Sequence, residues 1–205
     1  MRRKARKLTP IMKMNKLVMA TNNANKLREV REILSPLGIE VLSQQEAGAN
    51  CDPDENGADF SDNAMIKAEA VYEATGLPVI ADDSGLCVDA LGGRPGVHSA
   101  RYAPKGQECA KLLGELEGVA DEKRTARFRC CIALLTDNER RTFEGKCEGR
   151  IGYEERGTNG FGYDPVFVVG DRTMAELSAD EKNAISHRGA ALRELYTYLK
   201  ESSGE

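Results

Sequence analysis

The chain holds only two histidines, His98 and His187, in 205 residues. A metal centre built from imidazoles is therefore excluded. Six cysteines are present, but none forms a CxxC pair. Without histidine partners at ligand spacing they argue against structural zinc and read as thiols in a reducing cytosol. No apolar run is long enough to span a bilayer, and no secretory apolar core follows the basic N-terminus. The reading is cytoplasmic, with no membrane partner. Net positive charge is also missing, since the formal charge is -4. The molecule as a whole is then no nucleic-acid binder, and an anionic ligand needs a local basic pocket. A Walker A loop is absent too, so any phosphate is gripped by other means.

What is present suits a folded enzyme. Hydrophobic residues make up 40% and charged residues 30%, enough to bury a core. Residues 1–15 carry Arg2, Arg3, Lys4, Arg6 and Lys7 and read as a basic, solvated extension. Residues 16–201 read as a single two-lobed domain.

The stretch Val79-Ile80-Ala81-Asp82-Asp83-Ser84-Gly85 is the focus. An apolar strand enters two carboxylates, and Ser84-Gly85 reads as the turn that ends it. Buried acids are costly unless a cation meets them. Successive strand residues point to opposite faces, so both acids cannot aim at one metal from a regular strand. Asp83, next to the turn, is the expected working group, and Asp82 a supporting one.

Upstream, Lys16 to Ala20 reads as a strand and Leu27, Val30, Leu34 and Leu37 as one helical face. Between them, Thr21-Asn22-Asn23-Ala24-Asn25-Lys26 forms a loop at a helix N-terminus. It can hold a phosphate, or be a capped asparagine turn. The acidic run Asp52 to Glu55 is either solvated or donates a carboxylate to a metal shared with Asp83. Ser61 is expected to cap a helix from Asp62 to Ala74 that carries Lys67. The order strand, helix, strand, helix, strand predicts an α/β sheet with ligands at strand carboxyl ends. Gly85 to Tyr102 reads as a loop with little regular structure past Leu91, ending near Arg101.

Downstream, Arg124 to Thr136 and Arg140 to Ile151 alternate as a β-hairpin around Asp137-Asn138-Glu139. The fold class is therefore α/β: an elongated mixed sheet flanked by helices, in two lobes with a cleft between them. Gly160-Phe161-Gly162-Tyr163-Asp164 offers two aromatics among glycines, either to stack on a base or to anchor a turn. His187 and Arg188 sit at the first turn of the last helix, where cations oppose the dipole, which favours ligand recognition over a structural role.

Together these motifs resemble those of the inosine triphosphate pyrophosphatase family, the dITP/XTP pyrophosphatases of noncanonical purine nucleotides. The matching segments are Thr21-Asn22-Asn23-x-x-Lys26, Ala81-Asp82-Asp83-Ser84-Gly85-Leu86, Leu91-Gly92-Gly93-x-Pro95-Gly96, Ser99-Ala100-Arg101-Tyr102, Gly160-Phe161-Gly162-Tyr163-Asp164-Pro165 and Ser186-His187-Arg188-Gly189. They run in family order from about Lys16 to Leu199. The resemblance implies hydrolysis of ITP, dITP and XTP to the monophosphate and pyrophosphate, with Mg2+, in a homodimer. It implies that Thr21 to Lys26 and Lys67 hold phosphates, that Glu55 and Asp83 hold the metal, and that Asp83 accepts the proton. Ser84 is implied as a substrate contact, and Phe161, Gly162, Tyr163, Asp164, Lys182, His187 and Arg188 as the nucleoside-binding set. Lys182 is also expected, with Lys26 and Lys67, to steady the leaving pyrophosphate. The segment Ala103 to Leu113 departs from the family pattern, which bears on the dimer surface and not on the chemistry. Two other classes compete. One is a clean-up enzyme with a different base pocket, and the other a non-catalytic binder using the basic arm.

Overall fold

The computed structural model describes residues 14–202. Most of the basic extension, residues 1–13, lies outside the described residues. In chain order the elements are β1 (Lys16–Met19), α1 (Ala24–Leu34), β2 (Glu40–Ser43), α2 (Phe60–Thr75), β3 (Val79–Val88), α3 (Glu108–Glu115), β4 (Thr125–Leu135), β5 (Arg140–Ile151), β6 (Phe167–Val169), β7 (Arg172–Thr173), α4 (Ala179–Ile185) and α5 (His187–Ser202).

Among the described residues one mixed sheet carries all seven strands, in the order β2-β1-β3-β4-β5-β6-β7. The β1 strand pairs parallel with both β2 and β3, and every later pair is antiparallel. The α/β half therefore joins the hairpin half through β3. Among the described residues no helix is long and apolar enough to cross a membrane.

Strand alternation divides the core. Leu17, Met19, Ile80, Ile132 and Leu134 face α1 and α5, where Val30, Leu34, Leu192, Leu195 and Leu199 meet them. Val18, Val79, Ala81 and Ala133 face the opposite way, onto Ala64, Ala68 and Val71 of α2. The small residues on α2 let it lie close to the sheet, so few large side chains are needed there. A third cluster forms at the far end of the long strands, where Leu86, Val88, Ala126, Phe128, Cys147 and Ile151 pack with Leu112, Phe167 and Met174. Each large buried side chain contributes roughly 1.5–3 kcal/mol. Asp82 to Gly85 belong to none of the three clusters. They lie along β3 between the near cores and the far one, which divide the molecule into its two lobes.

Several boundaries differ from the sequence reading. The β3 strand does not end at Ser84-Gly85 but runs on to Val88, paired with β4 throughout. Gly85 is there for closeness, not for a turn: a Cβ would collide with the Gly96 carbonyl oxygen and Ser99 Oγ. The segment after it is ordered by two 3-10 turns, Asp89–Leu91 and Gly96–Arg101, the second packed on β3. The α2 helix begins two residues earlier than expected, and Asp59 rather than Ser61 caps it, accepting from the Asp62 N–H at 3.0 Å. The α1 helix begins at Ala24, so Ala24, Asn25 and Lys26 form its first turn instead of a loop.

Candidate active site

Asp82 and Asp83 lie in the middle of a regular strand, so their side chains leave it on opposite faces. Both are buried, at 2% and 7% exposure. Each meets its own set of cations.

On the α2 face, Lys67 Nζ lies 3.2 Å from Asp83 Oδ1 and 3.1 Å from Glu55 Oε2. Asn63, one turn before Lys67, donates to Asp83 Oδ2 at 3.3 Å and accepts from the Gly57 N–H at 2.8 Å. Asn63 thereby ties the acidic loop to the strand. Arg101 secures the same loop, donating to the Glu55 carbonyl oxygen at 2.8 Å. Burial pushes the Asp83 carboxyl above its usual range; Lys67 pulls it back while Glu55 pushes it further up. Burial works against the Lys67 ammonium, but Asp82, Asp83 and Glu55 outweigh it and raise its pKa.

Two carboxylates face one ammonium in this cluster, which leaves one negative charge over. Among the described residues no three of His, Cys, Asp and Glu gather as a metal cage. A two-carboxylate site fits magnesium, which binds through one or two carboxylates and takes its other oxygens from water and phosphates. It does not fit zinc.

On the α1 and α5 face, Lys26 Nζ donates to Asp82 Oδ1 and Arg188 Nε to Asp82 Oδ2, both at 3.0 Å. Arg188 also reaches Glu29 Oε2 at 2.7 Å and Ser84 Oγ at 3.2 Å. Two carboxylates and two cations balance here. Burial alone would raise the Asp82 carboxyl; Lys26, Arg188 and Lys67 overcome it and hold the group ionised below the usual range. The Thr21 to Lys26 stretch opens beside this network. Asn23 caps α1 by accepting from the Asn25 and Lys26 N–H groups at 2.9 and 3.3 Å. Thr21 Oγ1 accepts from the Asn23 N–H, and Asn22 Oδ1 accepts from Gln44 Nε2. Asn22, Asn23, Ala24 and Asn25 remain exposed at the positive end of the helix dipole.

The glycine-rich loop separates its two aromatics. Tyr163 is buried in the far core, with its hydroxyl donating to the Ser99 carbonyl oxygen at 2.9 Å. It is not a free stacking surface. Phe161 is half-buried, with Lys182 Nζ 4.6 Å above its ring. Asp164 Oδ2 accepts from both Lys182 Nζ and the Phe161 N–H at 2.7 Å. Gly160 makes room for that carboxylate, where a Cβ would strike it. Lys182 is thus engaged with Phe161 and Asp164, while Lys26 is held by Asp82 and Lys67 by Asp83. A cavity of ≈ 400 Å³ opens here, lined in part by Asn25, Glu29, Phe161, Lys182 and Asn183.

His187 and Arg188 do start α5, and Ser186 accepts from the Gly189 N–H at 3.0 Å as its cap. The dipole conflict is resolved locally. Burial, with Arg188 and Lys182 nearby, holds the His187 pKa well below its usual value, so the ring is neutral. Arg188 is balanced by Asp82 and Glu29. The His187 ring stacks on Phe128 at 4.8 Å, and its Nδ1 is buried with no hydrogen-bond partner among the described residues.

Three contributors were missed from sequence. Glu29 lies one turn after Lys26, a charged residue in a surface-helix pattern, yet it is buried. Asn63 shares the sheet-facing side of α2 with Lys67, four residues on, and a buried amide amid alanines was its signal. Gly145 of β5, where a Cβ would strike the His187 carbonyl oxygen, had no local signal at all.

The Ham1 family model matches residues 17–198. The dITP/XTP pyrophosphatase of Bacillus licheniformis is 51% identical over 196 residues, covering 92% of this chain and 100% of its own length. The dITP/XTP pyrophosphatase of Bacillus subtilis is 50% identical over 194 residues, covering 91% and 98%. Among solved structures, a HAM1 protein from Coxiella burnetii superposes with a TM-score of 0.84 at 46% identity, covering 92% of this chain and 100% of the other. With a match running across both lobes and through β3, this chain belongs to the Ham1 family.

Proposed function

We propose that this protein hydrolyses noncanonical purine nucleoside triphosphates, dITP, XTP and ITP, to the monophosphate and pyrophosphate. The observation that carries the reading is the charge split across β3. Asp83 and Glu55 keep a negative excess on one face, while Lys26 and the α1 N-terminus open beside the other. That arrangement suits a polyphosphate whose charge is shared between a divalent cation and fixed donors. The relatives bearing the pyrophosphatase name support the same reaction.

Lys26, Lys67 and the exposed α1 turn bind and orient the phosphate chain. Asp83, held by Asn63 and Lys67, orients the attacking water and accepts its proton. A carboxylate is a weak base, so positioning carries much of the rate. Glu55 and Asp83 would hold a magnesium ion, which neutralises phosphate charge and polarises the phosphorus when bound. At the other end, Phe161 offers its ring to a purine. Lys182 spends one donor on Asp164 and keeps others for a 6-oxo acceptor. Adenine would meet these donors with an amino group, leaving buried donors unmet at about 1–3 kcal/mol each. The homodimer and the cytoplasmic setting belong to the same proposal, and light scattering in solution tests the first.

The decisive experiment is product analysis with ITP, dITP, XTP, GTP and ATP in the presence of magnesium. Pyrophosphate from the first three, and little from GTP and ATP, is the expected result. Orthophosphate release, or a preference for ATP, would overturn the reading.

A further inference from the structure

Asp82 does not share the face of Asp83, and the proposed reaction gives it no contact with the water or the metal. Its own contacts are specific. One oxygen takes Lys26 and the other takes Arg188, each at 3.0 Å. Its side chain is 1% exposed, that of Arg188 3%, and that of Lys26 18%. The anchor is therefore sealed, while the lysine it holds still reaches the cleft.

The two cations come from different parts of the site. Lys26 sits in the first turn of α1, beside the exposed Asn22 to Asn25 stretch. Arg188 sits in the first turn of α5, next to His187, with its guanidinium carbon 5.8 Å from the Phe161 ring centre. A carboxylate accepts through both oxygens at once, which a neutral amide cannot do. An apolar residue at 82 would pack well enough in a strand, but it would leave two cations facing each other in a dry site. The choice of an acid at this position thus follows from the pair it must hold.

Resting on the proposed reaction, we infer that Asp82 is a positioning residue that couples the phosphate grip of Lys26 to Arg188 at the Phe161 end of the site. Through it, a phosphate drawn onto Lys26 and a purine seated against Phe161 share one buried anchor. Glu29 and Ser84 hold the same guanidinium, so Arg188 has three side-chain partners where Lys26 has Asp82.

The test uses the full chain and two inhibitory probes: inorganic tripolyphosphate, which has no base, and inosine, which has no phosphate. Asp82→Asn keeps the side-chain shape and is compared with wild type after a circular-dichroism check of folding. The expected result is weaker inhibition by both probes, together with a lower ratio of kcat/KM for ITP over ATP. A fall in kcat alone, with both inhibition constants and the ratio unchanged, would overturn the inference, because a merely structural acid would act that way. A second measurement holds even where Asp82→Asn does not fold. In a cycle of Lys26→Met and Arg188→Met, the losses in kcat/KM are expected to fall short of multiplying by about fivefold or more, as for side chains sharing a partner. Multiplicative losses would overturn the coupling. The cycle is run on the purine triphosphate that wild type prefers. Absence of pyrophosphate release by wild type defeats the proposed function instead, and is seen before any variant is made.

Discussion

The carbonyl oxygen of His187 rests where a side chain at Gly145 would stand. A Cβ built on Gly145 would collide with that oxygen and with the Ala191 N–H nitrogen. Gly145 faces Cys130 in the centre of the hairpin, so the first turn of α5 lies directly on the backbone of β5. This contact sets the height at which His187 and Arg188 enter the site. Gly145→Ala is expected to shift the start of α5, cost about 1–3 kcal/mol of stability by overpacking, and lower kcat/KM by tenfold or more, on the order expected when positioning is lost. Urea unfolding and steady-state kinetics on one preparation check both.

Asp83→Asn tests the chemical end. The amide keeps the size of the carboxylate but cannot accept a proton from water. The expected loss in kcat is about 10²–10⁴-fold. Inosine, which lacks phosphates, is expected to inhibit the variant as it does wild type, since Asp83 lies on the α2 face with Asn63 and Lys67.

His187 links stability to pH. Its folded pKa lies well below the usual value because the ring is buried beside Arg188 and Lys182. The unfolded chain therefore takes up the proton first. The neutral ring contributes fully above about pH 6.5, and stability is lost as pH falls from there toward the depressed folded pKa. The slope approaches about 1.4 kcal/mol per pH unit. His187→Phe keeps a ring against Phe128 and removes the titrating group. Unfolding free energies of the two proteins at pH 7.5, 6.5 and 5.5, values chosen to bracket roughly the unperturbed pKa, are expected to diverge only on the acid side, with wild type falling faster.

All six cysteines are free, and their settings differ. Burial raises the thiols of Cys109 to about 12 and of Cys131 and Cys147 to about 11, and lifts Cys130 too. Cys51 and Cys87 are only half-buried, although burial lifts the Cys87 thiol as well. A thiolate reagent at neutral pH is expected to label Cys51 and Cys87 first, and the other four only with unfolding. Peptide mapping after brief labelling, with and without denaturant, reads the order.

The parts of the fold set by local pattern were legible. Alternation in Phe128, Cys130, Ile132 and Leu134 marked the hairpin, and the apolar stripe of Leu27, Val30 and Leu34 marked α1. The separation of Asp82 from Asp83 also followed from strand parity. What was not legible depends on distant partners. Ser84-Gly85 carries turn residues, but Gly85 stays extended because the 3-10 turn Gly96–Arg101 presses against it. Phe161 and Tyr163 are alike in local sequence, and only the position of Ser99 and the far core sends Tyr163 inward. Gly145 owes its identity to a helix that begins forty-odd residues later, a spacing no local pattern encodes.

The loop that places Phe161 gives the sharpest test of which end of the site reads the base. Asp164 Oδ2 holds the Phe161 N–H and the Lys182 ammonium together, each at 2.7 Å. Asp164→Asn keeps the volume but removes the charge that fixes Lys182, and its amide N–H₂ opposes either donor if it turns inward. Charge-assisted bonds are roughly twice as strong as neutral ones, so both Lys182 and Phe161 should loosen. The expected outcome is a KM for ITP raised by about tenfold to a hundredfold, as one or two such bonds are lost, with a smaller change in kcat. Inhibition by tripolyphosphate is expected to stay at the wild-type value, because Asp164 makes no contact with Lys26, Lys67 or Asp83. Weakening of both ITP and tripolyphosphate to the same degree would instead place Lys182 at the phosphates, where the sequence alone had also allowed it.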